Sequence, residues 1–262
     1  MFLAVFTKGF AKPVDTINVV SPSMNNHIQN VVILPDDYNI HQAFPVLYLL
    51  HGFGGNHLSW LQLQPALPEL ATQYGIIIVC PNGKNSWYWD SPVDPAMRYE
   101  TYVTKELVSY IDNHYKTIPN KKGRAITGLS MGGHGGLWIG FRHADIFGAC
   151  GSTSGGVDIR PFPDNWEIKN TLGAYSENQE RWDEHTVMNQ LYRIQSNHPA
   201  IIIDCGTDDI FYDVNEILHE KLLSQRIPHH YLTRPGEHNS SYWKISIEYQ
   251  ILFFHLFFRS FP

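Results

Sequence analysis

The chain of 262 residues, 43% of them hydrophobic and 13% aromatic, is long enough to bury a sizeable core, and its length predicts one domain. Its formal net charge of −6 comes without any basic block, which argues against a polyanionic partner such as nucleic acid. The longest late apolar run, residues 251–258, is shorter than the ~20 residues a membrane-spanning helix needs, so we expect a buried terminal helix and no membrane span.

Two interpretations of the N-terminus stay open. Within residues 1–11, the apolar stretch 2–6 is followed by Lys8. It fits either the tail of a signal peptide whose start lies upstream or an ordinary chain terminus, which leaves cytoplasmic and periplasmic or secreted locations open. The three cysteines, each at the end of an apolar run, are expected to be small buried residues near strand ends: Cys80, Cys150 and Cys205.

The first predicted elements form one edge of a sheet. Two β-rich runs, residues 15–20 and 27–34, are joined by a turn-forming string and predict an antiparallel hairpin. The continuous apolar runs 45–50 and 75–80 fit strands buried on both faces of a parallel sheet. Between them, residues 60–74 show helical spacing interrupted by two prolines, which predicts a broken helix.

The middle of the chain alternates between strand and helix. An amphipathic helix is predicted over residues 99–115, then a strand over 124–129, a helix over 131–142 and a strand over 147–150. This alternation is typical of a doubly wound sheet. It stops over residues 155–196, which we expect to form an insertion over the sheet that shapes a binding site.

The alternation then resumes to the end of the chain. Strands are predicted over 200–205 and 229–233, and helices over 214–223 and 242–258. The whole pattern predicts an α/β fold with a mostly parallel, twisted sheet of about eight strands and helices on both faces, as a single domain over residues 1–262.

A nucleophile motif lies at the join of a predicted strand and helix. The segment Gly128-Leu-Ser-Met-Gly132 has the form Gly-x-Ser-x-Gly, in which a serine occupies a strained strand-to-helix turn. The two glycines fit because a Cβ there would collide where strand and helix nearly touch. Chance alone yields such a match about 0.1 times in a chain of this composition, so the context decides. Ser130 is the candidate nucleophile.

An acid and a base are available after later strands, in the chain order that a serine hydrolase of this kind requires. A serine hydroxyl needs an imidazole to take its proton and a carboxylate to hold that imidazole. His238 directly follows the last predicted strand and is the candidate base. Asp208 and Asp209 both follow strand 200–205, and we favour Asp209 because of its Gly-x-x-Asp turn, with Asp208 as a cap or supporting group.

Two backbone N–H groups are needed to stabilise the oxyanion of a tetrahedral intermediate. One is expected from Met131, the residue after the nucleophile, and the other from Phe53 in the loop His51-Gly-Phe-Gly-Gly55. We expect the side chain of His51 to brace this loop.

Taken together, these segments resemble the esterase D-like branch of the α/β-hydrolases, which includes tributyrin, feruloyl and acetylxylan esterases, S-formylglutathione hydrolases and mycolyltransferases. The resemblance runs from about Val14 to the C-terminus. It rests on residues 49–55, Pro81-Asn-Gly-Lys-Asn-Ser-Trp-Tyr88, residues 128–135, Cys205-Gly-Thr-Asp-Asp209, and Pro235-Gly-Glu-His238 with Trp243 after it. It implies an α/β-hydrolase fold and a cofactor-free serine carboxylesterase with Ser130, Asp209 and His238 as its triad.

The resemblance also bears on substrates. It draws attention to Trp87, Tyr88, Asp90 and His134 as candidate substrate contacts, although the tryptophans of this segment fit core packing equally well. Trp166 and Trp182, in the insertion, are expected to anchor it rather than to floor the acyl site. We expect short-chain acyl esters, acetyl to butyryl, or sugar-linked acyl esters as substrates.

Several alternatives to a short-chain esterase have to be weighed against the sequence. Feruloyl esters fit the same site, whereas thioester hydrolysis of S-formylglutathione is disfavoured because those enzymes usually carry a Ser-Gly-Leu-Thr-Cys type loop. A metal hydrolase is not expected, since Leu223 stands where the pattern begun by His219-Glu220 requires histidine. A non-catalytic binding module on a hydrolase fold would lack at least one of the four site elements. The oligomeric state is left open.

Overall fold

One sheet of eight strands organises the chain, and the computed structural model describes it over residues 14–194 and 198–261. The strands are Val14–Ser21 (β1), Asn26–Ile33 (β2), Val46–Leu50 (β3), Ile77–Pro81 (β4), Arg124–Gly128 (β5), Ala149–Thr153 (β6), Ala200–Gly206 (β7) and His230–Arg234 (β8). Their order across the sheet is β1-β2-β4-β3-β5-β6-β7-β8. β2 pairs antiparallel with β1 and β4, and all the remaining pairs are parallel. The predicted fold class is confirmed.

The helices follow the predicted alternation. They are Ser59–Leu63 (α1), Leu67–Tyr74 (α2), Tyr99–Thr101 (α3), Val108–His114 (α4), Met131–Arg142 (α5), Ile168–Leu172 (α6), Gln179–Glu184 (α7), Tyr212–Ser224 (α8) and Ser240–Arg259 (α9). A π-helical segment, Tyr102–Leu107, joins α3 to α4, so residues 99–114 form one continuous helix as predicted. The break between α1 and α2 falls at Pro65, because proline lacks the N–H that would continue the helix.

Helices cover both faces of the sheet and bury β3, β4, β5 and β6 completely, whereas β8 at the sheet edge is partly exposed. α5, α8 and the helix 99–114 pack on one face, and α1, α2 and α9 pack on the other. The predicted buried terminal helix is only half right, because α9 buries Ile251 and Phe254 but exposes Leu252 and Leu256. Within residues 14–194 and 198–261, no helix combines the length and apolar character that a bilayer crossing requires.

Most predicted strand boundaries lie within two residues of those observed, and β6 differs most. The strand predicted over 147–150 begins at Ala149, where pairing with β5 and β7 starts, and the N–H of Gly148 donates to the carbonyl oxygens of Lys121 and Arg124. β6 continues through Thr153 because its small polar residues pair with β7. Residues 1–11, where a signal-peptide tail is one of two open interpretations, lie outside the described residues. As predicted, the three cysteines are buried, in β4, β6 and β7.

The insertion predicted after β6 is present and packs against α5. Its described part, residues 155–194, contains α6, α7 and short 3-10 turns. The indole N–H of the fully buried Trp182 donates to the carbonyl oxygen of Gly173, 2.9 Å away. Arg160 bridges Asp158 and Asp183 at 2.7 and 2.8 Å. These contacts hold the segment together although it contributes no strand to the sheet.

Candidate active site

Ser130 occupies a strained turn between β5 and α5. Its backbone lies at φ 55° and ψ −118°, a region that L-residues rarely adopt, and its N–H donates to the carbonyl oxygen of Thr153 at 2.9 Å. A Cβ on Gly128 or Gly132 would lie 2.4 or 2.3 Å from the backbone oxygen of Leu50. The turn therefore requires glycine on both sides of the serine, as the motif predicts.

His238 lies between Ser130 and Asp209. Its Nε2 is 3.0 Å from Ser130 Oγ, and its Nδ1 is 3.0 Å from each carboxylate oxygen of Asp209. A carboxylate only accepts hydrogen bonds, so Nδ1 carries the proton and Nε2 is left to accept from the serine hydroxyl. This tautomer suits a general base directed at Ser130.

Of the two candidate acids, only Asp209 reaches His238. Its carboxylate is fully buried and also accepts the N–H of Phe211 at 2.8 Å, which fixes its orientation. The side chain of Asp208 is exposed, and its Oδ2 lies 3.3 Å from the hydroxyl of Thr207. The two aspartates thus follow the same strand but belong to different surroundings.

Aromatic rings hold the imidazole of His238 from two sides. The ring of Phe211 meets it edge-on with centroids 5.2 Å apart, and Trp243 meets it edge-on at 4.9 Å. No sequence pattern marks Phe211, whereas Trp243 follows His238 closely enough to be noticed. Together the rings limit the rotation of the imidazole away from Ser130.

The two expected oxyanion donors flank the serine. Met131 is the first residue of α5, so its N–H has no acceptor within the helix. Phe53 lies in the loop after β3, and a Cβ on the preceding Gly52 would meet Leu129 at 2.6 Å. The loop thus passes directly over the residue before Ser130.

A set of hydrogen bonds braces this loop. His51 Nδ1 donates to the carbonyl oxygen of Gly52 at 2.7 Å, and its Nε2 accepts the N–H of Gly83 at 2.9 Å. Burial lowers the pKa of His51 to about 4, which keeps the ring neutral and able to accept. The hydroxyl of Tyr88 donates to the His51 carbonyl, and Asn85 Oδ1 accepts the N–H of Gly54. His51 therefore braces the loop, as expected, and Asn85, within the segment 81–88 that the resemblance rests on, braces it as well.

A buried polar network lies beneath the turn. The amide of Gln250, on α9, bonds through Oε1 to the hydroxyl of Thr127 and through Nε2 to that of Thr153 at 2.7 Å. Thr127 lies on β5 just before the nucleophile, and the carbonyl of Thr153 accepts the Ser130 N–H. Gln250 therefore links β5, which leads into Ser130, to β6, whose last carbonyl accepts the Ser130 N–H.

The cavity above Ser130 has a volume of about 370 Å³. Aromatic and aliphatic side chains dominate its lining, with Phe53, Trp166 and Trp243 among them. Of the described residues that line it, none is Asp, Glu, Lys or Arg. Trp166 comes from the insertion, and both it and Glu167 have positive φ, 48° and 54°. Trp166 thus lines the site, in addition to packing its ring against Phe211.

The four predicted substrate contacts lie elsewhere. Trp87, Tyr88 and His134 are buried and do not line the Ser130 cavity. Trp87 stacks on Trp89, and His134 donates from Nδ1 to the carbonyl of Gly156. The burial of these side chains argues against direct substrate contact, because the packed core leaves them no accessible surface. The carboxylate of Asp90 accepts the N–H and hydroxyl of Thr101 and lines a different cavity.

The described residues also bear on metal binding. Within residues 14–194 and 198–261, no group of three or more His, Cys, Asp or Glu side chains is arranged to hold a metal ion.

Residues 21–253 match the sequence model of a family described as a putative esterase. The chain is 26% identical over 210 residues to an acetyl esterase of Caldicellulosiruptor saccharolyticus, covering 75% of this chain and 78% of that protein. It is 29% identical over 235 residues to an esterase of Mycobacterium tuberculosis, covering 79% of this chain and about half, 51%, of the relative.

Solved structures of serine hydrolases and esterases have a similar fold. A ferulic acid esterase aligns over 94% of this chain and 98% of its own, with a TM-score of 0.79 and 27% identity. The fluorophosphonate-binding serine hydrolase FphF of Staphylococcus aureus aligns over 92% and 98%, with a TM-score of 0.82. At 21% identity, the second likeness shows the fold alone.

Proposed function

The chain belongs to the putative esterase family and is a serine carboxylesterase of the α/β-hydrolase fold, and we propose that Ser130, His238 and Asp209 are its catalytic triad. The observation that supports this most directly is the pair of 3.0 Å contacts that His238 makes, through opposite ring nitrogens, with Ser130 and Asp209. The whole chain, including the insertion, is proposed to act as one domain.

In the first half of the proposed reaction, Ser130 Oγ attacks the ester carbonyl while His238 Nε2 takes its proton. Asp209 stabilises the imidazolium that results. The N–H groups of Met131 and Phe53 stabilise the oxyanion, and one such donor contributes ~3 kcal/mol to transition-state stabilisation. The imidazolium then protonates the leaving alkoxide, so that an alcohol departs and an acyl-enzyme remains.

The second half repeats these steps with water. His238 Nε2 takes a proton from water, and the hydroxide attacks the acyl-enzyme carbonyl. The same two N–H groups stabilise the second oxyanion. When this intermediate collapses, His238 returns the proton to Ser130 Oγ, and the carboxylic acid is released. No cofactor enters either half of the proposed reaction.

We propose short acyl esters, acetyl to butyryl, or sugar-linked acyl esters as the substrate class. The modest cavity of about 370 Å³ and its uncharged lining support a small neutral group beside Ser130. Feruloyl esters are the second candidate, because Phe53, Trp166 and Trp243 supply aromatic walls for an aryl ring. The absence of a charged side chain among the described lining residues disfavours the charged glutathione thioester.

The test is a series of p-nitrophenyl esters from acetate to laurate, with methyl ferulate and S-formylglutathione alongside. A maximum at acetate to butyrate that disappears in Ser130→Ala supports the proposal. His238→Ala should lose turnover as well, while His230→Ala, which changes an exposed histidine of β8, is the matched control. A folded Ser130→Ala variant that hydrolyses esters at the wild-type rate would overturn the assignment, and preference for ferulate would select the second candidate.

A further inference from the structure

A second cavity, larger than the one at Ser130, lies between the insertion and the C-terminal half of α5. Its volume is about 570 Å³. The residues that line it and the residues that line the Ser130 cavity do not overlap. Trp138 and Arg142 belong to this lining, and at 1.5 Å of rise per residue they lie about 12 and 18 Å from Ser130 along α5. The cavity is therefore separate from the proposed catalytic centre.

Charges of both signs line this second cavity. Asp90, Glu100, Asp183 and Glu184 contribute carboxylates, and Arg142 and Arg193 contribute guanidinium groups. Gln190 holds both guanidinium groups close together, because its Oε1 accepts from Arg193 Nε at 2.8 Å and from Arg142 Nη1 at 3.4 Å. Three of the four carboxylates are paired with arginines, Asp90 with Arg98, Glu100 with Arg142 and Asp183 with Arg160, so the charges of the lining are largely balanced. The lining therefore favours a neutral ligand.

The pairing inside the cavity supports the same conclusion. Glu100, almost fully buried, pairs with Arg142 at 2.9 Å and with His143 at 2.7 Å, and it accepts the indole N–H of Trp138 at 2.9 Å. These contacts hold the pKa of Glu100 down at about 2, against the effect of its burial. The charge of Arg142 is thus already balanced within the protein.

Several polar atoms of the lining keep hydrogen-bonding capacity. His185 donates from Nδ1 to the carbonyl of Arg181, so its Nε2 is free to accept. Asn189 donates from Nδ2 to the carbonyl oxygen of Asp183 at 3.0 Å, which leaves Oδ1 able to accept, and Arg193 donates to Gln190 through Nε, which leaves its terminal nitrogens able to donate. The side chain of Glu184 is exposed. The cavity thus offers both donors and acceptors. A hydroxyl group both donates and accepts, so a polyhydroxylated ligand suits this lining.

One exposed aromatic ring stands beside these polar groups. Tyr192 is 59% exposed, and the guanidinium of Arg193 lies over its ring at 4.9 Å. Trp138 is not available for stacking, because Arg142 covers its ring at 4.5 Å and His185 stacks on it at 5.4 Å. An exposed ring held in place beside polar side chains provides an apolar surface on which the C–H face of a sugar can pack.

We propose that this cavity is a binding site for a neutral oligosaccharide, distinct from the site at Ser130. The lining carries charges of both signs, hydrogen-bond donors and acceptors, and the exposed ring of Tyr192. These features match a ligand that has many hydroxyl groups and an apolar face. A saccharide held here would keep an attached ester near Ser130 at a raised effective concentration. The binding itself does not depend on the proposed triad.

The test measures binding of neutral hexasaccharides to the Ser130→Ala protein by isothermal titration calorimetry. The probes are xylohexaose, cellohexaose and maltohexaose, with a hexamer of galacturonic acid as the charged comparison. At least one neutral probe should bind at one site per chain. Tyr192→Ala should weaken that binding about tenfold, since a ring contact of this size is lost. Tyr249→Ala removes a tyrosine that is 46% exposed on α9 and should leave the affinity unchanged.

Three results would overturn the proposal. The first is that no neutral probe binds, or that only the galacturonic acid hexamer does. The second is that a folded Tyr192→Ala variant binds as tightly as its parent. The third is that the bound hexasaccharide inhibits hydrolysis of p-nitrophenyl acetate by the wild-type enzyme competitively, which would place it at Ser130. Because binding is measured in a variant without the nucleophile, its outcome is separate from that of the proposed esterase mechanism.

Discussion

Replacing Asp209 by asparagine tests the proposed triad at its most informative point. The substitution keeps the shape of the side chain and removes its charge. The N–H of Phe211 continues to require an oxygen at Oδ1, so the new amide nitrogen takes the place of Oδ2, 3.0 Å from His238 Nδ1. A proton on Nδ1 would then face this amide N–H as well as the retained oxygen at Oδ1, whereas a bare Nδ1 would accept from the amide. The imidazole is therefore driven towards the tautomer that carries its proton on Nε2, which cannot accept the proton of Ser130.

The expected loss follows from the geometry of the pair. With the carboxylate and the imidazolium about 4 Å apart between charge centres and an effective dielectric constant of about 20, their attraction is about 4 kcal/mol. Loss of this stabilisation corresponds to a decrease of about 10³ in kcat, and the tautomer change adds to it. Asp209 does not line the cavity, so KM should change little.

The assay is steady-state hydrolysis of p-nitrophenyl acetate by Asp209→Asn and by the matched control Asp208→Asn. The control changes a neighbouring exposed aspartate in the same way and should retain kcat within about twofold. The reasoning is refuted if folded Asp209→Asn keeps kcat within tenfold of wild type, or if Asp208→Asn loses more activity than Asp209→Asn.

Three further predictions concern the turn, the network beneath it and the buried histidines. Gly132→Ala places a Cβ 2.3 Å from a backbone oxygen of β3, so chemical denaturation should show a loss of about 1–3 kcal/mol, with loss of turnover. Gln250→Leu leaves two buried threonine hydroxyls with fewer partners, at a cost of about 1–3 kcal/mol that calorimetry should register as a lower Tm. Burial lowers the pKa of His51 to about 4 and that of His134 to about 3, so the unfolded chain binds more protons below the ordinary pKa of 6.5. The unfolding free energy should therefore fall as pH drops from about 6.5 to 4, by up to about 1.4 kcal/mol per pH unit for each histidine, and His134→Phe should flatten this slope.

The arrangement of the fold was predictable because strand and helix patterns alternate along the chain. Single residues also set two helix boundaries. Pro65 lies in the break before α2, and α5 begins directly after Ser130. His238 was identifiable because it alone directly follows the last strand. Asp209 and Asp208 could not be separated with the same certainty, because the choice depends on which carboxylate reaches His238 in space.

Substrate contacts were the least predictable part. An aromatic run such as Trp87 and Tyr88 looks alike whether it lines a cavity or fills a core, and here positive backbone φ values of 55° and 60° accompany side chains packed in the core. Trp166, which was expected to anchor the insertion, packs against Phe211 and also lines the cavity at Ser130. Where a side chain of an irregular segment points is set by tertiary packing, which periodicity does not encode.

The three free cysteines of β4, β6 and β7 can report local opening of the strands in which they lie. Burial raises the pKa of Cys80 to about 12 and raises those of Cys150 and Cys205 as well, so a thiol-directed reagent meets no reactive thiolate while these strands stay closed. Alkylation at each position then requires local or global opening of its strand. Peptide mass spectrometry after timed alkylation would rank the opening free energies of these three interior strands, without any engineered probe.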